Sequence, residues 1–167
     1  MSITLYLCGD VMTGRGIDQV LPHPGNPTLY EEYLRSALDY VALAEAANGA
    51  VAQPVDFTYI WGDLLGELQT DGSTVRIANL ETAITTSESC WPGKGVSYRM
   101  HPANLPCLTV ARFDCCTLAN NHVLDWGYRG LEETITALRS AGIQTAGAGQ
   151  NAQAAAEPAI IPMPEGG

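Results

Sequence analysis

Asp114-Cys-Cys-Thr-Leu-Ala-Asn-Asn-His-Val-Leu-Asp-Trp-Gly127 is the stretch that sets the fold of this chain. Its first half is apolar, with Cys and β-branched side chains, which predicts a strand from Asp114. The polarity then breaks at Asn120, Asn121, His122 and Asp125, and after Gly127 a helical pattern opens at Tyr128. Strand, polar loop and helix form the repeating unit of an open α/β sheet. Ligand sites in such sheets form at strand ends, where loops are held by rigid elements on both sides yet stay open to solvent. Two chemistries are open to this loop. Its Asn and Asp side chains can bond their own backbone, as turn residues do. Alternatively, an amide oxygen beside an imidazole supplies a metal ligand and a proton donor, both of which recur in hydrolytic metal sites.

Two other stretches have the same form. Ile3-Thr-Leu-Tyr-Leu-Cys-Gly-Asp10 is a β-type run ending in an acid, followed by Val11-Met12-Thr13-Gly14-Arg15. Val75-Arg-Ile-Ala-Asn-Leu-Glu81 alternates apolar residues and ends in an amide and an acid before Thr82. Three separate strands thus end in a carboxylate or an amide/His pair. A hard or borderline divalent cation needs donors from several strand tips, because one loop seldom presents enough of them.

In that order, Gly9-Asp10-Val11-Met12-x-Gly14-Arg15, Asn79-Leu80-Glu81-Thr82 and Asn120-Asn121-His122-x-x-Asp125-x-Gly127 resemble the bacterial capsule-synthesis CapA family, associated with poly-γ-glutamate. That family is similar to the calcineurin-like metallophosphoesterases. The resemblance continues through Tyr59-Ile-Trp-Gly-Asp63, Trp91-Pro-Gly-Lys94 and Tyr98-Arg-Met-His-Pro102, so it covers nearly the whole chain. It implies an α/β layered sandwich of two sheets between helices, with this chain as the N-terminal part of one longer domain. It also implies a metal-dependent hydrolase of a phosphate ester or related anionic bond, in which two cations clamp a phosphoryl oxygen and a His protonates the leaving group. Carried over by position, Asp10 is a terminal metal ligand, Glu81 a bridging carboxylate and Asn121 an amide-oxygen ligand. His122 is then the general acid or transition-state stabiliser, and Asp125 either orients His122 or caps the following helix.

Two departures change the expectation. Met12 stands where the superfamily usually has a His ligand, and His122 is the last histidine of the chain, so the late His ligands are absent. Asp10, Glu81 and Asn121 form a half-site, enough for one loosely held Mg²⁺, Mn²⁺ or Ca²⁺ but poor for tight zinc. The motifs do not separate Mn, Mg, Fe and Zn. The competing expectation is a non-catalytic fold that keeps these loops for binding or assembly on an anionic polymer.

Bulk properties narrow the partners. A length of 167 residues is near the usual size of one domain, and 46% hydrophobic against 16% charged residues places the chain among globular proteins. With 18 acids against 8 bases the net charge is −10, which disfavours nucleic acid and anionic lipid as partners. An anionic small molecule or polymer would need local positive charge. Arg15 ends the first motif, and Lys94 and Arg99 are the only Lys or Arg residues between Arg76 and Arg112, so these three are the candidate substrate contacts.

The N-terminus has no basic leader, and its apolar run is too short for a signal segment or a membrane span, so a cytoplasmic location without membrane insertion is expected. Many members of the resembled family are anchored outside the membrane, a point of difference. The five cysteines lack CxxC spacing and mostly sit in apolar strands, which predicts reduced thiols.

Further strands are expected from Ile143 and Ala159. A helix is expected from a Thr28-x-x-Glu31 capping box to Asn48-Gly49, with Leu29, Tyr33, Ala37, Leu38, Val41 and Ala44 on its buried face. Another follows Pro54 with Leu64, Leu65 and Leu68 inward, a turn is expected at Asp71-Gly72-Ser73, and residues 82–100 read as a long polar loop. Tyr128 to Ala141 is an amphipathic helix with Leu131, Ile135 and Leu138 inward. Gly147 and Gly149 lack the spacing of a phosphate cradle. The run to Pro164-Glu-Gly-Gly167 suggests a domain that continues beyond the sequence.

Overall fold

A computed structural model describes residues 3–68 and 74–162. The expected turn at Asp71-Gly72-Ser73 and the closing Pro164-Glu-Gly-Gly167 lie outside the described residues. Four strands form one sheet: β1 (Thr4–Val11), β2 (Thr74–Leu80), β5 (Cys115–Thr117) and β6 (Gln144–Ala146). Their order is β1-β2-β5-β6 and every pairing is parallel. A parallel arrangement requires a crossover between successive strands, which is why the apolar runs are separated by helical and loop segments. A second, two-stranded parallel sheet joins β3 (Ala83–Ile84) to β4 (Arg99–Met100), inside the region expected to be loop. The fold is the expected α/β arrangement of sheets flanked by helices.

The helices are α1 (Gly16–Val20), α2 (Ala37–Asn48), α3 (Leu64–Leu68), α4 (Pro106–Thr109), α5 (Gly127–Ser140) and α6 (Ala152–Ala156). On the sheet's core side, Ala78, Leu80, Cys116 and Leu118 pack in one cluster with Cys107, Leu108 and the α5 residues Leu131, Ile135 and Leu138. The expected inward stripe of α5 is therefore the one observed. Its Thr134 is also buried: the hydroxyl accepts from Ile84 N at 2.8 Å and donates to Gly130 O at 2.7 Å, pinning α5 to β3.

Two expected elements are corrected. Residues 28–36 are irregular, and α2 begins only at Ala37 with Ser36 Oγ capping Leu38 N. The supposed capping pair is used otherwise: Asn26 Oδ1 accepts from Thr28 N, while the Glu31 carboxylate pairs with Arg15 Nε at 2.7 Å and accepts from Tyr40 Oη at 2.6 Å. Tyr33 and Leu38 consequently lie outside, although Leu29, Ala37 and Val41 are buried and Gly49 ends the helix at φ 90° as expected. The strand from Ala159 does not form. Residues 157–162 are irregular, Ile160 is 78% exposed, and Pro158 and Pro162 withhold backbone donors from any ladder. In α3 only Leu68 is fully buried.

One irregularity in β1 bears directly on the strand tips. The register runs Cys8↔Ala78 and then Asp10↔Asn79, so Gly9 is the extra residue of a bulge. In an unbroken ladder Asp10 would share the face of Cys8, which packs against the core. The bulge turns Asp10 to the opposite face, beside Asn79.

Candidate functional site

The C-terminal ends of β1, β2 and β5 meet through one hydrogen-bonded chain of side chains. Asn79 is its hub. Its Nδ2 donates to Asp10 Oδ1 at 2.8 Å and lies 3.5 Å from Glu81 Oε1. Its Oδ1 accepts from Asn120 Nδ2 at 3.1 Å and from Thr117 Oγ1 at 3.3 Å. Strand periodicity puts Asn79 and Glu81 on one face, and the ladder puts Thr117 opposite Asn79, so backbone register assembles the cluster. Asn120 also donates to Leu80 O at 2.9 Å, while its Oδ1 accepts from His122 N at 3.0 Å. The turn chemistry open to this loop is thus present: Asn120 builds the turn that presents His122.

His122 is 7% exposed. Its Nδ1 lies 2.7 Å from Asp125 Oδ2, and its ring stacks on Tyr98 with centroids 4.0 Å apart. Asp125 is fully buried and accepts additionally from Tyr98 N at 2.7 Å and from the Lys94 ammonium, which also donates to Asn121 O. Asp125 thus contacts the His122 ring, whereas no side chain caps the start of α5. With Nδ1 committed, Nε2 is the nitrogen of His122 left to a ligand.

The three candidate substrate cations are all engaged within the protein. Lys94 holds Asp125. Arg99 donates to Ser87 O at 2.6 Å and Asn26 O at 2.8 Å and lies 3.9 Å from the Trp126 ring centroid; burial pulls its pKa below the usual arginine range. Arg15, at φ 51°, pairs with Glu31 and sits 4.8 Å from the ring centroids of both Tyr40 and Tyr98. The loop carrying Arg15 lies close against β4: a Cβ on Gly14 would come within 2.9 Å of the Arg99 backbone, which only glycine avoids.

As candidate cation ligands, Asp10 is exposed, Glu81 half-buried, and the Asn121 side chain exposed. Among the described residues, no three His, Cys, Asp or Glu side chains converge as a metal cluster. Asp10 Oδ1 and Glu81 Oε1 both face Asn79 Nδ2, and oxygen donors of this type suit a hard cation better than zinc. Met12 Sδ accepts from Gly14 N at 3.2 Å and so serves the loop.

Asn79, Asn120 and Tyr98 belong to the same motifs and join this network, a place that the sequence by itself does not give them. The signal for Asn79 was its spacing of two from Glu81 in a strand. Nothing local marked Tyr98, whose ring reaches His122 across the 85–98 crossover. Trp61 is turned to the core: its Nε1 donates to Cys107 O at 2.7 Å and its ring packs on Phe113. All five cysteines are free thiols, as expected. No helix among the described residues is long and apolar enough to cross a membrane.

Residues 4–167 match the family model of the bacterial capsule synthesis protein PGA_cap. In two strains of Mycobacterium tuberculosis, a protein named probable polyglutamine synthesis accessory protein is 50% identical over 159 residues, covering 95% of this chain and 42% of the relative. The capsule biosynthesis protein CapA of Bacillus anthracis is 23% identical over 149 residues, covering 89% of this chain and 29% of its own length. The chain thus spans less than half the length of these curated relatives.

Proposed function

The chain belongs to the bacterial capsule synthesis protein PGA_cap family, and from that premise we propose that it serves capsule or polyglutamate synthesis through a metal-dependent hydrolytic site at its strand tips. The observation that carries this reading is the Asp10-Asn79-Asn120 chain, which joins the tips of β1 and β2 to the loop after β5 and ends on the backbone of His122, whose imidazole meets the buried Asp125 carboxylate. Asp10, Glu81 and the Asn121 amide oxygen would hold a divalent cation. When bound, it would supply the positive charge that an anionic substrate needs in a chain of net charge −10.

The remaining chemistry belongs to side chains. Asp125 fixes the direction of the His122 ring through Nδ1, and Lys94 and Tyr98 N hold Asp125 in place. When protonated, His122 gives its Nε2 proton to the departing oxygen of a phosphate ester or related anionic bond. The stacked Tyr98 ring excludes water from one face of the imidazole.

Calorimetry with Mn²⁺ tests the cation: a saturable heat is expected for the native chain and none for Glu81→Ala, and equal heats would refute the assignment. Turnover of a chromogenic phosphodiester should require the divalent ion and vanish in His122→Ala.

A second reading, a non-catalytic binding or assembly module for an anionic polymer, is favoured by one contact. The Asn79 amide already donates to Asp10, so that carboxylate is partly satisfied without a cation. Retained polyglutamate binding with no divalent-dependent turnover would decide for it.

A further inference from the structure

Beside the strand-tip loop lies a solvent-open cavity of about 340 Å³ between α1, α2 and the segment before α3. Met12, Ile17, Val20, Tyr40, Val41 and Val51 line it. Its volume is in the range of small-molecule sites, about 300–1,000 Å³, and its lining is almost wholly apolar. Arg15 is the one charged residue among the described lining, and Glu31 neutralises it at 2.7 Å, so the cavity offers no net charge to a carboxylate. The cavity adjoins the strand-tip site in two ways. Met12 follows Asp10 by two residues. Arg15 lies 4.8 Å from the Tyr98 ring centroid, and that ring stacks at 4.0 Å on His122.

We propose that this cavity receives an uncharged apolar group, an aliphatic chain or aromatic ring, on a ligand whose anionic end sits at Asp10, Glu81 and His122. The inference rests on the strand-tip reading above and adds the chemical class of the substituent. A purely polyanionic ligand leaves the cavity wet, because the Arg15–Glu31 pair leaves no net positive charge to hold a carboxylate there. A ligand with an apolar arm removes both its own surface and the Met12, Ile17 and Val41 side chains from water.

Methyl-resolved NMR titration of the full chain tests the proposal with two homologous series. Butanol, hexanol and octanol are expected to bind about fourfold more tightly per added methylene and to shift the methyls of Met12, Ile17 and Val41. A flat series, or shifts centred elsewhere, overturns the cavity as a site. With Mg²⁺ present to supply the positive charge at Asp10 and Glu81, hexylphosphonate should bind more tightly than methylphosphonate and shift both those methyls and the His122 ring signals. If it perturbs only one of the two regions, a single ligand does not span them and the proposal fails. The alcohols need neither a cation nor His122, so failure of the hydrolase reading would appear in the Mn²⁺ heats and not in the alcohol series.

Discussion

Asn79 Nδ2 donates to Asp10 Oδ1 at 2.8 Å, joining strand tips 69 positions apart in the chain. The same nitrogen faces Glu81, while the amide oxygen is held by Asn120 and Thr117, so the network fixes which way the amide points. Asn79 is therefore a neutral spacer between two carboxylates.

Replacing that spacer with a charge should expose the cation affinity of the tip. Asn79→Asp places a third carboxylate beside Asp10, and like charges in register cost about 1 kcal/mol, or roughly 2–4 °C in melting temperature. Saturating Mn²⁺ or Mg²⁺ should restore the loss, because binding to the native state alone stabilises it. Thermal melts with and without the ion check this; a melting temperature unmoved by either ion would argue against a cation between Asp10 and Glu81.

Asp125 is buried with Lys94 as its cation, so removing one partner leaves the other charge alone in the interior. Lys94→Met is expected to cost about 3 kcal/mol in urea denaturation. Combining it with Asp125→Asn should recover part of that cost, since no lone buried charge remains. Strictly additive costs would show that the two side chains do not act as a pair.

Arg99→Lys separates a structural from a ligand-binding arginine. Lysine cannot fork onto Ser87 O and Asn26 O or lie flat on Trp126, so a loss of about 1–2 kcal/mol is expected. Denaturation measures that loss, and phosphate titration of the same variant measures the other role. Native stability with weakened phosphate binding would return Arg99 to the substrate.

Burial pushes the thiols of Cys107 and Cys116 up to about 12 from an ordinary value near 9. At pH 8 roughly one in ten thousand of either is thiolate, so iodoacetamide should spare both in the native protein and label half-buried Cys90 first. Unfolding frees thiols that ionise near pH 9, so the unfolded state loses protons that the folded state keeps. Stability from this source is intact below about pH 9 and falls between pH 9 and about 12. Peptide mass mapping after timed labelling checks the first part, and denaturation at pH 8 and pH 10 the second.

Where the sequence misled, local signals competed with tertiary partners. Thr28 and Glu31 have capping spacing, but Glu31 gains more from Arg15 and Tyr40 than from a backbone amide, so the helix waits for Ser36. The Ala159 run is apolar enough for a strand, yet no neighbour pairs with it among the described residues. Lys94 and Arg99 stood out because cations are scarce in this chain. Scarcity could not reveal that buried Asp125 and the carbonyls of Ser87 and Asn26 already hold them.

What the sequence determined by itself was the kind of chemistry and its place in each element: apolar runs that must become strands, each ending in an acid, amide or imidazole. Periodicity and polarity are local properties, so they survive reading one segment at a time. Tertiary structure decided which side chains meet. The bulge at Gly9 aims Asp10 at Asn79, parallel register sets Thr117 beside Asn79, and the crossover brings Lys94 and Tyr98 to Asp125 and His122. Those contacts depend on how strands align across the sheet, and no single segment encodes that alignment.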